Sequence, residues 1–131
     1  MKTVRQIYNI KASPAAVWQA LIDPKKIIAW GGGPVVMDSR VDTKFKLWGS
    51  EIHGTNILVI PHKKLVQDWY GGVWPQPSKV TFTLTPQHDA TRLELHHENI
   101  PDAEAKDIDA GWREYYLGPL KDYLENTKPA V

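Results

Sequence analysis

Two neighbouring segments near the middle of this chain alternate apolar and polar residues with a period of two. In residues 79–85, three apolar side chains alternate with three threonines. In residues 92–100, Leu93, Leu95 and His97 alternate with polar or charged residues. This period is typical of antiparallel strands that have one buried face and one face in water. The chain must therefore supply another element to cover the buried face.

The C-terminal segment has the pattern of a helix that could form this cover. Acidic residues at positions 102, 104 and 107 suit the positive end of a helix dipole. One broad apolar stripe then follows at helical spacing: Ile108, Trp112, Tyr115, Tyr116, Leu120, Tyr123 and Leu124. Pro119 lacks an N–H and crowds the carbonyl of Tyr115, so we expect the helix to kink there and continue.

Turn-forming and capping residues divide the rest of the chain. Ser13-Pro14 predicts the start of a helix that ends near Asp23-Pro24, and the second pair predicts a short helix over residues 25–30. Residues 128–131 are expected to fray. The remaining predicted strands cover residues 4–10, 35–38, 44–48, 51–60 and 64–69. The sequence thus predicts an α+β fold of order β-α-α-β-β-β-β-β-β-α.

Composition narrows the function classes. The chain has 131 residues, enough for one domain, and its net charge of +1 offers no surplus positive potential for nucleic acid. It contains no cysteine, which excludes disulfides and thiolate metal sites and suits the cytosol. No run approaches the ~18 apolar residues of a membrane span, and no signal peptide opens the chain. A cytoplasmic protein without a membrane span is expected.

Motifs for catalysis or metal binding are not found. The chain has no phosphate-binding glycine loop and no nucleophile elbow. His96 and His97 are adjacent in a predicted strand, so their side chains should point to opposite faces and cannot share a metal ion. Glu94 and Glu98 fall on the polar parity and are expected to form a solvated charged face. We expect no metal, no cofactor and no catalytic group.

Aromatic residues dominate the candidates for a binding site. Six tryptophans and five tyrosines stand against two phenylalanines, and such rings suit cavity walls as well as ordinary cores. His97 shares the buried parity, which makes it either a core histidine satisfied by the protein or a polar anchor in a cavity. The residues expected to line a ligand cavity are Trp69, Leu93, Leu95, His97, Trp112 and Tyr116.

Several motifs carry a family likeness. The opening IKASPAAVW of residues 10–18, with its Asp23-Pro24 stop, resembles the start of START-like (SRPBCC, helix-grip) domains. Within that superfamily the chain resembles the C-terminal domain of the activator of heat-shock protein 90 ATPase. That second likeness rests on LVQDW, Trp74-Pro75, VTFTL, Ile100-Pro101 and GWREYYL, which follow in the right order, and it spans about residues 4–126.

This resemblance implies a helix-grip fold, in which a curved antiparallel sheet wraps the long C-terminal helix and leaves a cavity. It also implies three functional hypotheses. The first is a non-enzymatic domain that binds an apolar or aromatic small molecule in that cavity. The alternative is a protein-interaction module that acts on a heat-shock chaperone, and the third is a cyclase-like or hydrolytic enzyme. Fold alone does not choose among them.

Overall fold

The structure, a computed structural model, describes residues 1–71 and 74–126, so the tail of residues 128–131 that was expected to fray lies outside it. A short 3-10 turn, Asp102–Glu104, and a π-helical turn, Trp112–Tyr116, accompany the regular elements. Those elements are β1 (Lys2–Ile10), α1 (Pro14–Ile22), α2 (Pro24–Trp30), β2 (Lys44–Leu47), β3 (Ile52–Ile60), β4 (Lys64–Gly71), β5 (Ser78–Gln87), β6 (Ala90–Ile100), α3 (Ala105–Gly111) and α4 (Leu117–Asn126).

The six strands form one antiparallel sheet in the order β1-β6-β5-β4-β3-β2. The predicted α+β helix-grip class is therefore confirmed, with a long C-terminal helix, residues 105–126, that runs through α3, the π-helical turn and α4. No helix within residues 1–71 and 74–126 is both long enough and apolar enough to cross a membrane.

One predicted strand is wrong. Residues 35–38 form only an isolated bridge between Val36 and Lys46, so five strands follow α2 where six were expected. The physical reason lies in the residues that follow the bridge. The Asp38 carboxylate accepts hydrogen bonds from the backbone N–H of Arg40 (3.1 Å) and from its guanidinium (2.8 Å), which folds the chain into a local turn.

Both N-terminal helices begin as their capping residues predict. The Ser13 hydroxyl accepts a hydrogen bond from the backbone N–H of Ala16 (3.1 Å), and the Asp23 carboxylate accepts one from Lys25 (2.9 Å). A proline stands at the first position of each helix, where its missing N–H costs nothing. These helices place Trp18 and Trp30 in the core.

The C-terminal helix packs on the inner face of the sheet through Trp112. This ring is 3% exposed and stacks on Trp69 of β4 with the ring centroids 4.7 Å apart. It also meets Phe82 of β5 edge to face at 5.7 Å. Farther along the sheet, the Gln6 side-chain amide of β1 donates to the Asp109 carboxylate (2.7 Å), so the helix contacts both central and edge strands.

The π-helical turn changes which side chains the helix buries. Tyr115, predicted to lie in the buried stripe, is 62% exposed, whereas Trp112 and Tyr116 are buried. A π-helical turn holds more residues than an α-helical one, so the stripe rotates there. The Arg113 carbonyl oxygen crowds Gly118, because a Cβ on that glycine would lie only 1.9 Å from it. The π-helical turn therefore lies shortly before Gly118-Pro119, where the sequence predicts a kink.

We predict that Trp112→Ala lowers the free energy of unfolding by about 3–5 kcal/mol, because it leaves a cavity where helix and sheet meet. Urea denaturation of the purified variant measures this loss. Tyr115→Ala is the matched control on the same helical turn, and its exposed ring should cost less than about 1 kcal/mol. A loss below about 1 kcal/mol for Trp112→Ala would contradict the packing described above.

Candidate functional site

An open cleft of about 370 Å³ lies between the C-terminal helix and the turn that joins β2 to β3. Its floor consists of side chains that are less than 5% exposed, namely Trp69, Trp112 and Tyr116. Glu51 and Tyr115 at its mouth are exposed to solvent. The full lining is Trp48, Glu51, Ile52, Trp69, Asp107, Ile108, Gly111, Trp112, Tyr115 and Tyr116.

The aromatic floor is a packed cluster. Tyr116 lies 4.7 Å from Trp112 and 6.0 Å from Trp69 between ring centroids. The Trp48 ring meets Tyr116 nearly at a right angle, with 6.0 Å between centroids and 77° between planes. Because these rings also contact one another, they have little rotamer freedom left to lose when a ligand binds.

The indole N–H groups of the cleft tryptophans all donate to acceptors within the protein. Trp48 donates to the Gly31 carbonyl (2.8 Å). Trp69 donates to the Gln67 side chain (2.8 Å), whose own amide donates to Asn56 (2.8 Å). Both of these amide side chains are buried. The tryptophans therefore line the cleft with apolar ring atoms and bring no unsatisfied indole N–H to it.

His97 sits directly under the floor and is fully buried. Trp112 donates its indole N–H to the Nδ1 atom of His97 (3.0 Å), so Nδ1 must be the unprotonated ring nitrogen. The Nε2 atom then carries the proton and donates to the Ser78 hydroxyl (2.7 Å). Ser78 in turn donates to the Trp69 carbonyl (3.2 Å). Both nitrogens are satisfied by the protein, which favours the core interpretation of His97 over the polar anchor.

The Tyr116 hydroxyl has no hydrogen-bond partner in the part of the chain that the structure describes, although it is buried. Buried polar atoms of this kind are uncommon in folded proteins. Burial also raises the pKa of the Tyr116 phenol, so the group is neutral and can both donate and accept a hydrogen bond. Sequence reasoning placed this ring at the site but did not identify its hydroxyl as an unsatisfied group.

The six predicted site residues divide into two groups. Trp69, Trp112 and Tyr116 line the cleft. Leu93, Leu95 and His97 are fully buried core residues that do not line it. Ligand binding by any of the six stays a prediction.

Sequence analysis missed several residues at the mouth of the cleft. Trp48 and Glu51 come from the β2–β3 turn, and Asp107 comes from α3. The signal that could have found Trp48 is its position immediately before Gly49-Ser50, where a large aromatic residue precedes a tight turn. Its proximity to the C-terminal helix arises from the tertiary fold, and no local sequence pattern predicts it.

The outer face of β6 carries charged residues, as its parity predicts. The Glu94 carboxylate lies 3.7 Å from Arg5 and 3.8 Å from Arg92. His96 lies on this outer side, with its Nδ1 atom 3.2 Å from Glu98, while His97 is buried among the aromatic rings. The two adjacent histidines therefore point to opposite faces of the sheet, as their positions in a strand predict.

The fold and the chain order define a START-like, helix-grip domain. Comparison with known proteins identifies the family within this superfamily. The chain belongs to the family described as Activator of Hsp90 ATPase homolog 1-like protein, whose sequence profile matches residues 11–125.

Individual relatives are about one-quarter identical to this chain over the aligned residues. The Hsp90 co-chaperone AHA1 of Saccharomyces cerevisiae is 25% identical over 122 residues, which cover 87% of this chain and 34% of the relative. CalU16 from Micromonospora echinospora is 26% identical, with a TM-score of 0.82 over 98% of this chain and 69% of that structure. The Aha1 dimer from Colwellia psychrerythraea, at 22% identity, shares the fold with a TM-score of 0.83 over 98% of this chain and all of that one. The chain spans about a third of the length of the curated relatives it matches.

We predict that His97 makes the stability depend on pH. Burial lowers its pKa to about 3 from an ordinary value of 6.5. Below about pH 6.5 the unfolded histidine therefore binds a proton that the folded one does not take until about pH 3. Its contribution to stability is complete above about pH 6.5 and declines as the pH falls, by at most about 1.4 kcal/mol per pH unit.

Urea denaturation between about pH 5 and pH 7.5 measures this slope. His97→Gln should flatten the curve below about pH 6.5, because the variant lacks the titrating group. His88→Gln is the control, since the His88 side chain is 98% exposed and its removal should leave the slope unchanged. Equal slopes in wild type and His97→Gln would show that the buried histidine does not control the pH dependence.

Proposed function

We propose that this chain binds a small apolar or aromatic molecule in the cleft between the C-terminal helix and the β2–β3 turn. The observation that carries the proposal is the aromatic floor formed by Trp69, Trp112 and Tyr116, which is packed in place and open to solvent on one side. A preformed apolar cleft with few polar groups is the usual character of a small-molecule site.

The Tyr116 hydroxyl supports the proposal as a second, independent observation. A buried hydroxyl without a partner loses its interaction with water and gains nothing in return. The hydroxyl has almost no exposed surface, so a ligand with one polar group restores the lost hydrogen bond only when the surrounding rings shift. In this proposal Tyr116 takes the role of polar anchor for which His97 was a candidate from the sequence.

The makeup of the cleft favours binding over catalysis. Nucleophilic catalysis needs a hydroxyl, thiol or amine beside a general base. The lining within the described residues contains two carboxylates and the phenols of Tyr115 and Tyr116, but no serine, threonine, histidine or lysine. The nearest Ser-His pair, Ser78 and His97, is buried below the floor and engaged with Trp69 and Trp112.

Gly111 provides a direct test, because it lines the cleft and lies within a helix. The nearest atom to a Cβ built there is Tyr115 Cδ2, 4.0 Å away, so a side chain has room at its base. We predict that Gly111→Leu fills the cleft and abolishes binding of 1-naphthylmethanol, followed by tryptophan fluorescence. The fold should survive, because replacing a helical glycine by leucine gains up to about 1 kcal/mol of helix propensity.

Gly111→Ala is the matched control. It gains similar helix propensity but adds a single methyl group, so most of the cleft and of the affinity should remain. If Gly111→Leu binds the probe as wild type does, then the cleft is not the binding site. Native mass spectrometry of the purified wild-type protein, with Gly111→Leu alongside, would show whether a small molecule co-purifies in the cleft.

We predict that Tyr116→Phe weakens 1-naphthylmethanol binding by about 1 kcal/mol, the net value of one hydrogen bond, without loss of stability. Removal of an unsatisfied buried hydroxyl should leave the unfolding free energy unchanged or raise it. Calorimetric titration and urea denaturation give the two quantities. Binding of 1-methylnaphthalene, which has no polar group, should be equal in the two proteins, and an equal loss for both probes would argue against a hydrogen bond to Tyr116.

A second candidate is a protein-interaction module that contacts an Hsp90-type chaperone. Its support is the 25% identity to the yeast Hsp90 co-chaperone AHA1 along 87% of this chain. A pull-down with purified Hsp90 tests this candidate, and Gly111→Leu separates it from the first. Retention of chaperone by both proteins, with small-molecule binding lost only in the variant, would assign the two activities to different surfaces.

A further inference from the structure

We infer that the cleft is built for a cationic ligand, an aromatic or alkyl ammonium. This inference rests on the proposed function, because it specifies the charge of the molecule that the cleft binds. It combines two features of the lining: five aromatic rings, and the carboxylates of Glu51 and Asp107 at the mouth.

Aromatic residues make up five of the ten that line the cleft. An aromatic face carries negative potential and attracts a cation that lies within about 6 Å of its centroid. Trp48 and Tyr116 meet at 77°, so the cleft is walled by rings in more than one plane. The indole N–H of Trp48 is donated to Gly31, and the Tyr115 ring at the mouth is 62% exposed, so these two rings offer apolar surface to a ligand. Aromatic cages of this kind favour ammonium groups over neutral groups of the same shape.

Two acidic side chains lie at the mouth of the cleft. Glu51 belongs to the β2–β3 turn and Asp107 to α3, so a carboxylate stands on each side of the opening. Neither takes part in an ion pair within residues 1–71 and 74–126, whereas Asp38, Asp109 and Glu125 each have a basic partner. The described lining contains no lysine or arginine to neutralise the pair. The local field therefore favours a cation and opposes an anion.

Tyr116 of the cleft floor carries a buried hydroxyl, which a ligand reaches only if the rings around it shift. It is buried and has no partner in the described part of the chain, and burial raises its pKa so that it stays neutral. Its oxygen can accept a hydrogen bond from an ammonium N–H. A neutral phenol adds this contact without adding charge, so the preference for a cation comes from the rings and the two carboxylates.

Three naphthalene probes of nearly equal size test the inference by calorimetric titration at low salt. They are 1-naphthylmethylammonium, 1-naphthylmethanol and 1-naphthoate. The expected result is that the ammonium binds about tenfold more tightly than the alcohol, with the carboxylate weakest. Gly111→Leu should abolish binding of the ammonium, and retention of that binding would place the cation elsewhere and overturn the inference.

The double variant Glu51→Gln, Asp107→Asn should reduce the tenfold preference to about threefold, the part that the rings supply. Glu114→Gln, an exposed carboxylate on the same helix outside the cleft, should leave the preference unchanged. A preference that is unchanged in the double variant overturns the role of the carboxylates and with it the inference.

The probes also separate this inference from the proposed function. Equal affinities for all three probes in the wild type would overturn the cation preference and leave the apolar binding site in place. Binding of none of the three would overturn both.

Discussion

The hydrogen bond from the Trp112 indole to His97 joins the C-terminal helix to the sheet at the centre of the molecule. It continues through Ser78 to the backbone carbonyl of Trp69, so that one chain of hydrogen bonds runs from the helix through β6 and β5 to β4. All four residues are buried. Leaving any of their hydrogen-bonding atoms without its partner would therefore lower the stability of the fold. The stacked rings of Trp69 and Trp112 lie over these bonds.

The same contacts that hold the helix on the sheet also build the floor of the cleft. The indole N–H groups of Trp69 and Trp112 donate to buried acceptors, and apolar atoms of the two rings line the cleft. Large rings fill the centre of the interface, so the open space lies near α3, beside the β2–β3 turn. Gly111 helps to keep that space open, because it contributes no side chain to the wall. Stability and binding surface therefore depend on the same residues.

Much of the fold could be predicted because it is determined by local pattern. Period-two alternation located β5 and β6 and placed Leu93, Leu95 and His97 on the inner face. Capping side chains located the start of α1 and α2. Two local departures from these patterns explain the errors. The strand expected at residues 35–38 is cut short by the turn that follows its single bridge, and the exposure of Tyr115 follows from the π-helical turn.

The candidate site was predicted only in part because its contacts join residues that are far apart in the chain. Trp69 and Trp112 lie on a strand and a helix whose apolar residues recur regularly. Their positions in these patterns placed both rings on the inner face. The role of His97 is determined by Ser78 and Trp112, which lie 19 and 15 residues away in the chain. Membership of the Activator of Hsp90 ATPase homolog 1-like family fixes the fold but leaves the ligand open, since one fold can host many functions.

The measurement that tests this account most directly is nitrogen NMR of the His97 ring, combined with hydrogen exchange of the Trp112 indole proton. The account predicts a neutral imidazole at pH 7 with its proton on Nε2, and an indole proton that exchanges only when the whole protein unfolds. A proton on Nδ1, a charged ring at neutral pH, or an indole proton that exchanges as fast as exposed ones would contradict it.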